Sequence, residues 1–122
     1  MARILVAEDN PGVRRWLAEV LSAAGHGVST ARDGLEAKRL AKRKLFDLIV
    51  TDICMPNEDG LGLIRFLQKT HPQIKILAIS GKDPETLIDA ILLGAHAALP
   101  KPLTAAAVLE CVCKLSPSQI RV

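Results

Sequence analysis

Five polar side chains in this chain of 122 residues have types that could act together in phosphoryl transfer. They are the adjacent carboxylates Glu8 and Asp9, a third carboxylate at Asp52, the hydroxyl of Ser80 and the amine of Lys101. Three ionised carboxylates in one site repel one another, so the site needs compensating positive charge. Lys101 and one divalent cation would together supply it. Hard carboxylate oxygens without a neighbouring Cys or His pair favour Mg²⁺.

Asp52 is the predicted nucleophile of this set. A carboxylate beside Mg²⁺, the Lys101 amine and the Ser80 hydroxyl has the components of a phosphoryl acceptor, because positioning and charge neutralisation do most of the work in this chemistry. Cys54 follows Asp52 by two residues and could contribute only its backbone carbonyl to the metal. Any one of the carboxylates alone is more simply a solvated loop residue, so the functional interpretation depends on the set.

These side chains can meet only if the segments before them are neighbours in a sheet. Short aliphatic runs alternate with longer segments of helical period, a pattern typical of βαβ units and a parallel sheet. Ligands of such sheets bind beyond the carboxyl ends of the strands, which is where the polar residues fall. The predicted strands are Arg3 to Ala7, Gly27 to Ala31, Leu48 to Thr51, Ile74 to Ile79 and Ala97 to Leu99.

A segment of helical pattern follows each predicted strand. The first has a capping residue, Asn10, a proline in its first turn and a terminating glycine, Gly25. The others are predicted near residues 35–44, 61–70, 84–94 and 104–115. With right-handed crossovers, we expect an α/β fold: one doubly wound, flavodoxin-like parallel sheet of five strands in the order 2-1-3-4-5 with five helices.

Several conspicuous residues are given structural rather than chemical roles. Trp16 is predicted to lie in the core, and Gly60 and Gly81 are interpreted as turn residues that need positive φ. Cys111 and Cys113, two apart on a helix, are expected to be structural thiols rather than a disulfide.

Composition excludes several classes of protein. No apolar run approaches the roughly 20 residues that span a bilayer, and the N-terminus lacks a signal-peptide pattern, so we expect a cytoplasmic protein that does not enter membranes. The net charge is +3, but the chain has only three aromatic residues, too few for a platform that stacks bases. The basic residues between 38 and 44 are interpreted as a solvated helix face, and no direct nucleic-acid binding is expected.

The spaced motifs Glu8-Asp9, Asp52-Ile53-Cys54-Met55-Pro56 with Gly60, Ser80-Gly81 and Lys101-Pro102 resemble the receiver domain of two-component response regulators, over essentially the whole chain. The resemblance implies that Asp52 accepts a phosphoryl group from a sensor histidine kinase or a histidine phosphotransfer protein. It further implies that Ser80 and Lys101 hold the phosphoryl oxygens and that the Lys101-Pro102 bond is cis. Its implied Mg²⁺ ligands are Glu8, Asp9, Asp52 and the Cys54 carbonyl.

The sequence departs from this family at position 98. Most receivers carry Tyr or Phe three residues before the lysine, whereas this chain has Ala98, so we expect a different readout of phosphorylation. Lys82 is given the hypothetical role of leaning over the phosphate. The fourth and fifth helices have more apolar positions than one inward stripe uses. In receivers the surface of helix 4, strand 5 and helix 5 contacts a downstream target or a second copy, which the resemblance implies here.

Residues 1–122 are interpreted as one receiver domain, with 116–122 a tail or the start of a linker. Whether the domain acts alone or precedes an output domain stays open, as does a second function, a phosphorylation-independent interaction scaffold. A phosphatase of the haloacid dehalogenase type is disfavoured because Cys54 replaces the second aspartate of its motif. A flavin carrier is disfavoured because Glu8 and Asp9 would repel the flavin phosphate. We expect a phosphoacceptor module rather than an enzyme.

Overall fold

The computed structural model of the protein describes residues 1–55, 60–81 and 83–116. Pro56 and Lys82, to which the sequence assigns a motif position and a hypothetical role, lie outside these ranges, as does the predicted tail beyond Ser116.

A five-stranded parallel sheet forms the centre of the fold. The strand order is 2-1-3-4-5, which confirms the predicted topology. Aliphatic runs occupy the strands because both faces of the sheet are covered. The strands are β1 Arg3–Ala7, β2 Gly27–Ala31, β3 Leu48–Asp52, β4 Lys75–Ser80 and β5 Ala97–Pro100.

Strand ends differ from the predicted ones by single residues. β3 includes Asp52, because that residue stays in register with Ile79 of β4. β4 begins one residue later than predicted, because the Ile74 backbone N–H donates to the His71 carbonyl in a turn, at 3.0 Å. β5 continues by one residue to Pro100. Hydrogen-bond pairing, which the apolar pattern does not encode, decides these ends.

Five helices follow the strands, as predicted. Four of them begin at a capping side chain that accepts a hydrogen bond from a backbone N–H of the first turn. These caps are Asn10, Asp33, Asp83 and Thr104. The helices are α1 Pro11–Ala23, α2 Gly34–Arg43, α3 Gly60–Thr70, α4 Pro84–Leu93 and α5 Ala105–Leu115.

Alternate residues of each strand enter two separate cores. Ile4 and Val6 of β1 pack on the side of α1 and α5, whereas Leu5 and Ala7 pack on the side of α2, α3 and α4. The larger core includes Ile49, Leu63, Ile64, Leu67, Ile76 and Ala90, and the other includes Leu17, Leu21, Val50, Ile79, Val108 and Val112. The sheet is therefore held rigidly from both faces, which fixes the carboxyl ends of its strands.

Three structural predictions need correction. Trp16 is only half-buried, at the margin of the core between α1 and α5, because its position on α1 lies beside the β5–α5 loop. Within the described residues, the glycines with positive φ are Gly25 and Gly94, at 96° and 126°, so Gly60 and Gly81 do not need positive φ. Gly60 is the first residue of α3 and has helical backbone geometry.

Among the described helices, none combines the length and the apolar character needed to cross a membrane.

Candidate functional site

The predicted functional residues lie at one edge of the sheet. Glu8 and Asp9 directly follow β1, Asp52 ends β3, Ser80 ends β4 and Lys101 directly follows β5. In a parallel sheet these positions share an edge, at the point where the strand order reverses around β1. The fold therefore brings together the set that the sequence singled out.

Lys101 joins two of the carboxylates. Its Nζ lies 3.1 Å from Asp52 Oδ2 and 3.0 Å from Glu8 Oε1. Asp52 Oδ1 accepts a hydrogen bond from the Cys54 backbone N–H, at 3.1 Å. Asp52 is 4% exposed and Glu8 is fully buried, so both carboxylates are held in fixed positions with little water around them.

The pKa values of Glu8 and Lys101 are both raised, for different reasons. Burial raises the pKa of the Glu8 carboxyl to about 7, although the Asn10 backbone N–H and the Lys101 ammonium act in the opposite direction, and the charge of Asp52 adds to the rise. Burial by itself lowers the pKa of Lys101, but contact with Glu8 and Asp52 outweighs burial, so this pKa is raised overall. Lys101 is therefore cationic at neutral pH, while the positive charge near Glu8 is too small to offset the effect of burial on its pKa.

The donor set fits a hard divalent cation. Glu8, Asp9 and Asp52 each offer a carboxylate oxygen, and these oxygens all lie within 4.8 Å of one another. Glu8 Oε1 is buried and has no partner with hydrogen-bond geometry, although it lies 3.0 Å from Lys101 Nζ. A buried oxygen left without a hydrogen bond is costly, and a water held by a bound cation would satisfy it. Oxygen ligands of this kind suit Mg²⁺.

Two contacts that the sequence did not predict fix the loop after β1. Glu8 Oε2 accepts a hydrogen bond from the Asn10 backbone N–H at 3.0 Å. Arg14 Nη1 donates to the Glu8 carbonyl at 2.9 Å and lies 3.4 Å from the Asp9 carbonyl. Arg14 follows Asn10 by one turn of α1, and that spacing is the only sequence signal for its role. It ties the acidic loop to the helix.

Gly60 packs against the backbone that carries Asp52. An added Cβ there would overlap the Asp52 carbonyl oxygen and would come within 2.5 Å of Ile53 Cα. The Gly60 backbone N–H donates to the Ile53 carbonyl at 2.8 Å. The start of α3 therefore packs directly on the backbone that carries Asp52. A glycine opening a helix shortly after an aspartate is the signal that could have indicated this close approach.

The remaining predicted site residues take the following places. Ser80 is fully buried, and its carbonyl accepts from the Lys101 backbone N–H at 2.8 Å, which joins the ends of β4 and β5. The Lys101–Pro102 peptide bond is cis. Cys54 is half-buried, and the role of its carbonyl as a metal ligand stays a prediction. Ala98 lies on β5 in register with Ala78.

An apolar groove opens beside Lys101. It has a volume of about 270 Å³ and lies between the first turns of α1 and the β5–α5 loop. Its lining residues are Gly12, Val13, Trp16, Lys101, Pro102 and Leu103. The half-buried ring of Trp16 thus lies in the same groove as Lys101.

Known proteins similar to this chain belong to one family. The family described as "Response regulator receiver domain" matches residues 4–112. The DNA-binding transcriptional regulator NtrC of Azospirillum brasilense is 38% identical over 104 residues, which are 83% of this chain and 21% of that protein. The response regulator receiver protein CpdR of Brucella abortus is 40% identical over 81 residues, 66% of this chain and 68% of that protein. The chain thus spans about a fifth of NtrC but two thirds of CpdR.

A solved structure shows the same architecture. The receiver domain of the Francisella response regulator 1452 superposes with a TM-score of 0.88 and 27% identity, covering 94% of this chain and 96% of that one. The family match spans nearly the whole chain, and the acidic cluster with its lysine occupies the carboxyl edge of the matching fold. The chain is therefore a member of the response regulator receiver domain family, a signalling module of two-component systems.

Proposed function

We propose that Asp52 accepts a phosphoryl group from a phosphohistidine of a sensor kinase or phosphotransfer protein, in a reaction that requires Mg²⁺. One observation carries this proposal: Asp52 is buried at the end of β3, paired with Lys101 at 3.1 Å and grouped with Glu8 and Asp9 within 4.8 Å. A carboxylate held in this way is fixed for attack, beside an ammonium that can neutralise the incoming phosphate and two carboxylates that can hold a cation for the same purpose.

The residues of this chain position the phosphoryl group and neutralise its charge. One Asp52 carboxylate oxygen forms the new O–P bond while the P–N bond to the donor imidazole breaks. The imidazole leaves with the electron pair of that bond and takes up a proton from solvent. Lys101 Nζ, already in contact with Asp52 Oδ2, stabilises the negative charge on the transferring phosphoryl oxygens.

Mg²⁺ would be held by Glu8, Asp9, Asp52 and the Cys54 carbonyl, with Glu8 acting through water. When bound, the ion supplies positive charge that draws the phosphoryl oxygens toward the carboxylates. The Cys54 backbone N–H, which donates to Asp52 Oδ1 at 3.1 Å, keeps the aspartate carboxyl oriented.

Phosphorylation would be read out through the surface of α4, β5 and α5. Ile88, Ile91 and Leu92 are 58%, 45% and 79% exposed on α4, which agrees with the surplus of apolar positions in the sequence. Exposed aliphatic residues grouped on one helix favour contact with a partner protein. We infer that this surface binds a downstream target or a second copy of the chain when Asp52 is phosphorylated.

The proposed reaction is tested by intact mass after incubation with acetyl phosphate or phosphoramidate, with and without Mg²⁺. Asp52→Asn is compared with Asp89→Asn, the same change at an exposed aspartate of α4. We expect a Mg²⁺-dependent adduct of one phosphoryl group on the wild type and on Asp89→Asn, and none on Asp52→Asn.

A missing adduct would contradict the proposal if calorimetry shows that Mg²⁺ binds. That result would favour the phosphorylation-independent scaffold. Light scattering with and without acetyl phosphate then tests the readout. A species that stays monomeric at high concentration in both conditions would exclude the second copy as partner and leave the downstream target.

A further inference from the structure

The positive charge of this protein is concentrated in one short segment. Of 16 basic residues, five lie between positions 38 and 44, and this segment contains no acidic residue. The rest of the chain has 11 basic against 13 acidic residues. Without this segment the chain would have a net negative charge. A local field of one sign attracts partners of the opposite sign.

The charged segment forms the last turns of α2 and the residue after it. Arg39, Lys42, Arg43 and Lys44 are exposed. In the part of the chain that the structure describes, no carboxylate lies at ion-pair distance from Arg39, Lys42 or Arg43. We call residues 38–44 with their exposed neighbours Leu35 and Leu45 the α2 basic surface.

Local structure explains only part of this charge. Cations in the last turn of a helix interact favourably with its dipole, which accounts for Lys42 and Arg43. Lys38 and Arg39 lie a turn earlier, and each faces a like charge four residues on, an arrangement that destabilises a helix. Lys38 and Lys42 lie on the same ring, with their Nζ atoms 5.1 and 5.7 Å from the centroid of Phe66. Among the described residues, no carboxylate lies at ion-pair distance from Lys42, so an anion of a partner would gain a pairing there.

Apolar side chains border the cations. Leu35 is 45% exposed and Leu45 is 71% exposed, and helical spacing puts Leu35 on the same face as Arg39 and Lys42. Lys44 Nζ donates to Ser29 Oγ at 3.0 Å. Beside it lies a groove of about 230 Å³ lined by Arg3, Val28, Ser29, Lys44, Leu45 and Phe46.

This combination favours a protein partner over a nucleic acid. A nucleic acid presents phosphates and base rings, which gain little from contact with leucine side chains. The aromatic ring nearest to the cations, Phe66, is already covered by Lys38 and Lys42. An acidic peptide with apolar side chains would complement both the charges and the leucines.

We propose that the α2 basic surface docks an acidic segment of a partner protein, with carboxylates against Arg39, Lys42 and Arg43 and apolar side chains against Leu35 and Leu45. α2 starts at the carboxyl edge of the sheet and ends where β3 is about to begin, so Lys42, Arg43 and Leu45 lie toward the edge opposite to Asp52, whereas Leu35 lies nearer to the site. Carboxylates docked on Lys42 and Arg43 leave the phosphoryl-acceptor site open, so the two functions are separable.

The test is fluorescence anisotropy at low ionic strength with a fluorescein-labelled peptide of Glu residues that has Leu at every fourth position. The full chain is compared with Arg39→Glu/Arg43→Glu and with Arg15→Glu/Lys114→Glu. The second pair changes the net charge equally at exposed positions of α1 and α5. We expect the Kd to rise about tenfold or more in the first pair and by less than about twofold in the second.

Three results would overturn the proposal: no binding to the wild type, equal weakening by both pairs, or tighter binding of a DNA duplex that the first pair abolishes. The last would make the surface a nucleic-acid interface. If the charge reversals lower the Tm, Arg39→Gln/Arg43→Gln replaces them, since it removes charge without adding acid at a helix end. Phosphorylation by acetyl phosphate is measured on every variant, so loss of the acceptor function is distinguished from loss of docking.

Discussion

Replacing Gly60 by Ala tests how the aspartate site is supported. In most helices this change is stabilising, by up to about 1 kcal/mol, because alanine loses less backbone entropy than glycine. Here the new Cβ would overlap the Asp52 carbonyl oxygen and press on Ile53 Cα. Both are backbone atoms of a strand end that is hydrogen-bonded to β4, so neither can rotate away.

The magnitude follows from three contributions. Overpacking against an unyielding backbone costs about 1 to 3 kcal/mol, and the upper end applies because the overlap is severe. Weakening the hydrogen bond from the Gly60 N–H to the Ile53 carbonyl costs about 1 kcal/mol more. Helix propensity returns up to about 1 kcal/mol. We expect a net loss of about 2 to 3 kcal/mol, equivalent to a Tm lower by roughly 8 to 12 °C for a domain of this size.

Urea unfolding followed by circular dichroism measures this loss. The matched control is Gly12→Ala, the same change in the first turn of α1, where the added Cβ would lie 3.3 Å from the side-chain oxygen of Asn10. That oxygen ends a side chain and needs to give by only a few tenths of an ångström while it still accepts from the Val13 N–H, so the control should stay close to wild-type stability. A Gly60→Ala protein as stable as the wild type would refute the close approach of α3 to Asp52. Phosphorylation by acetyl phosphate should also slow, because relief of the overlap displaces Asp52.

Two further predictions concern charge and pH. In EDTA, Lys101→Met should lower the free energy of unfolding by about 1 to 3 kcal/mol, because Glu8 and Asp52 lose the cation that they share; the partial exposure of Lys101 limits this loss. Lys101→Arg, which retains the charge, is the control. Unchanged urea midpoints in both variants would contradict the predicted loss of stability. His96 Nδ1 accepts from the Ile76 N–H at 3.0 Å, and burial, with the charge of Lys75, lowers its pKa below 6.5. The folded state therefore binds a proton at His96 less readily than the unfolded state does. The stability advantage of the wild type over His96→Gln should be present at neutral pH and shrink as the pH falls below about 6.5. Comparing the two proteins at each pH cancels the opposite effect of Glu8, and a difference that does not vary with pH would refute the role of His96.

The sequence was sufficient for the fold because each of its levels agrees with the others. Aliphatic runs, capping residues such as Asn10 and Asp83, and the prolines that follow them all indicate the same alternation of strands and helices. The apolar pattern did not predict how deeply side chains at the margins of helices are buried. Trp16 fits the apolar stripe of α1, yet it is only half-buried, because what covers it depends on the β5–α5 loop and not on α1.

The site was predictable to the extent that its chemistry lies at strand ends. Asp52, Glu8 and Lys101 follow from charge balance once the sheet order is known, and the structure brings all three into contact range. The role of Arg14 was not predicted, and Gly60 was singled out but interpreted as a turn residue, because the contacts of both are to backbone atoms and side-chain type says little about them. Which residues support a site by packing on its backbone becomes visible only in the three-dimensional structure.

The link from Asp52 to the exposed face of α4 is short. A phosphoryl group on Asp52 would offer new acceptor oxygens to Ser80, which ends the neighbouring strand β4. Only two residues separate Ser80 from Asp83, whose side chain caps α4 by accepting from the Thr86 N–H at 3.1 Å. A shift of Ser80 must therefore be absorbed by this short connection or passed to the helix.

Packing favours the second outcome. α4 buries only Ala90 completely, whereas α3 buries Gly60, Leu63, Ile64 and Leu67. Moving a helix costs free energy in proportion to the apolar contacts it gives up, so α4 is easier to shift than α3. Ala98, which packs on the same side of the sheet as α4, presents no bulky side chain to obstruct the movement. α4, which follows Ser80 after three residues and fully buries only Ala90, is thus also the helix that exposes Ile88, Ile91 and Leu92.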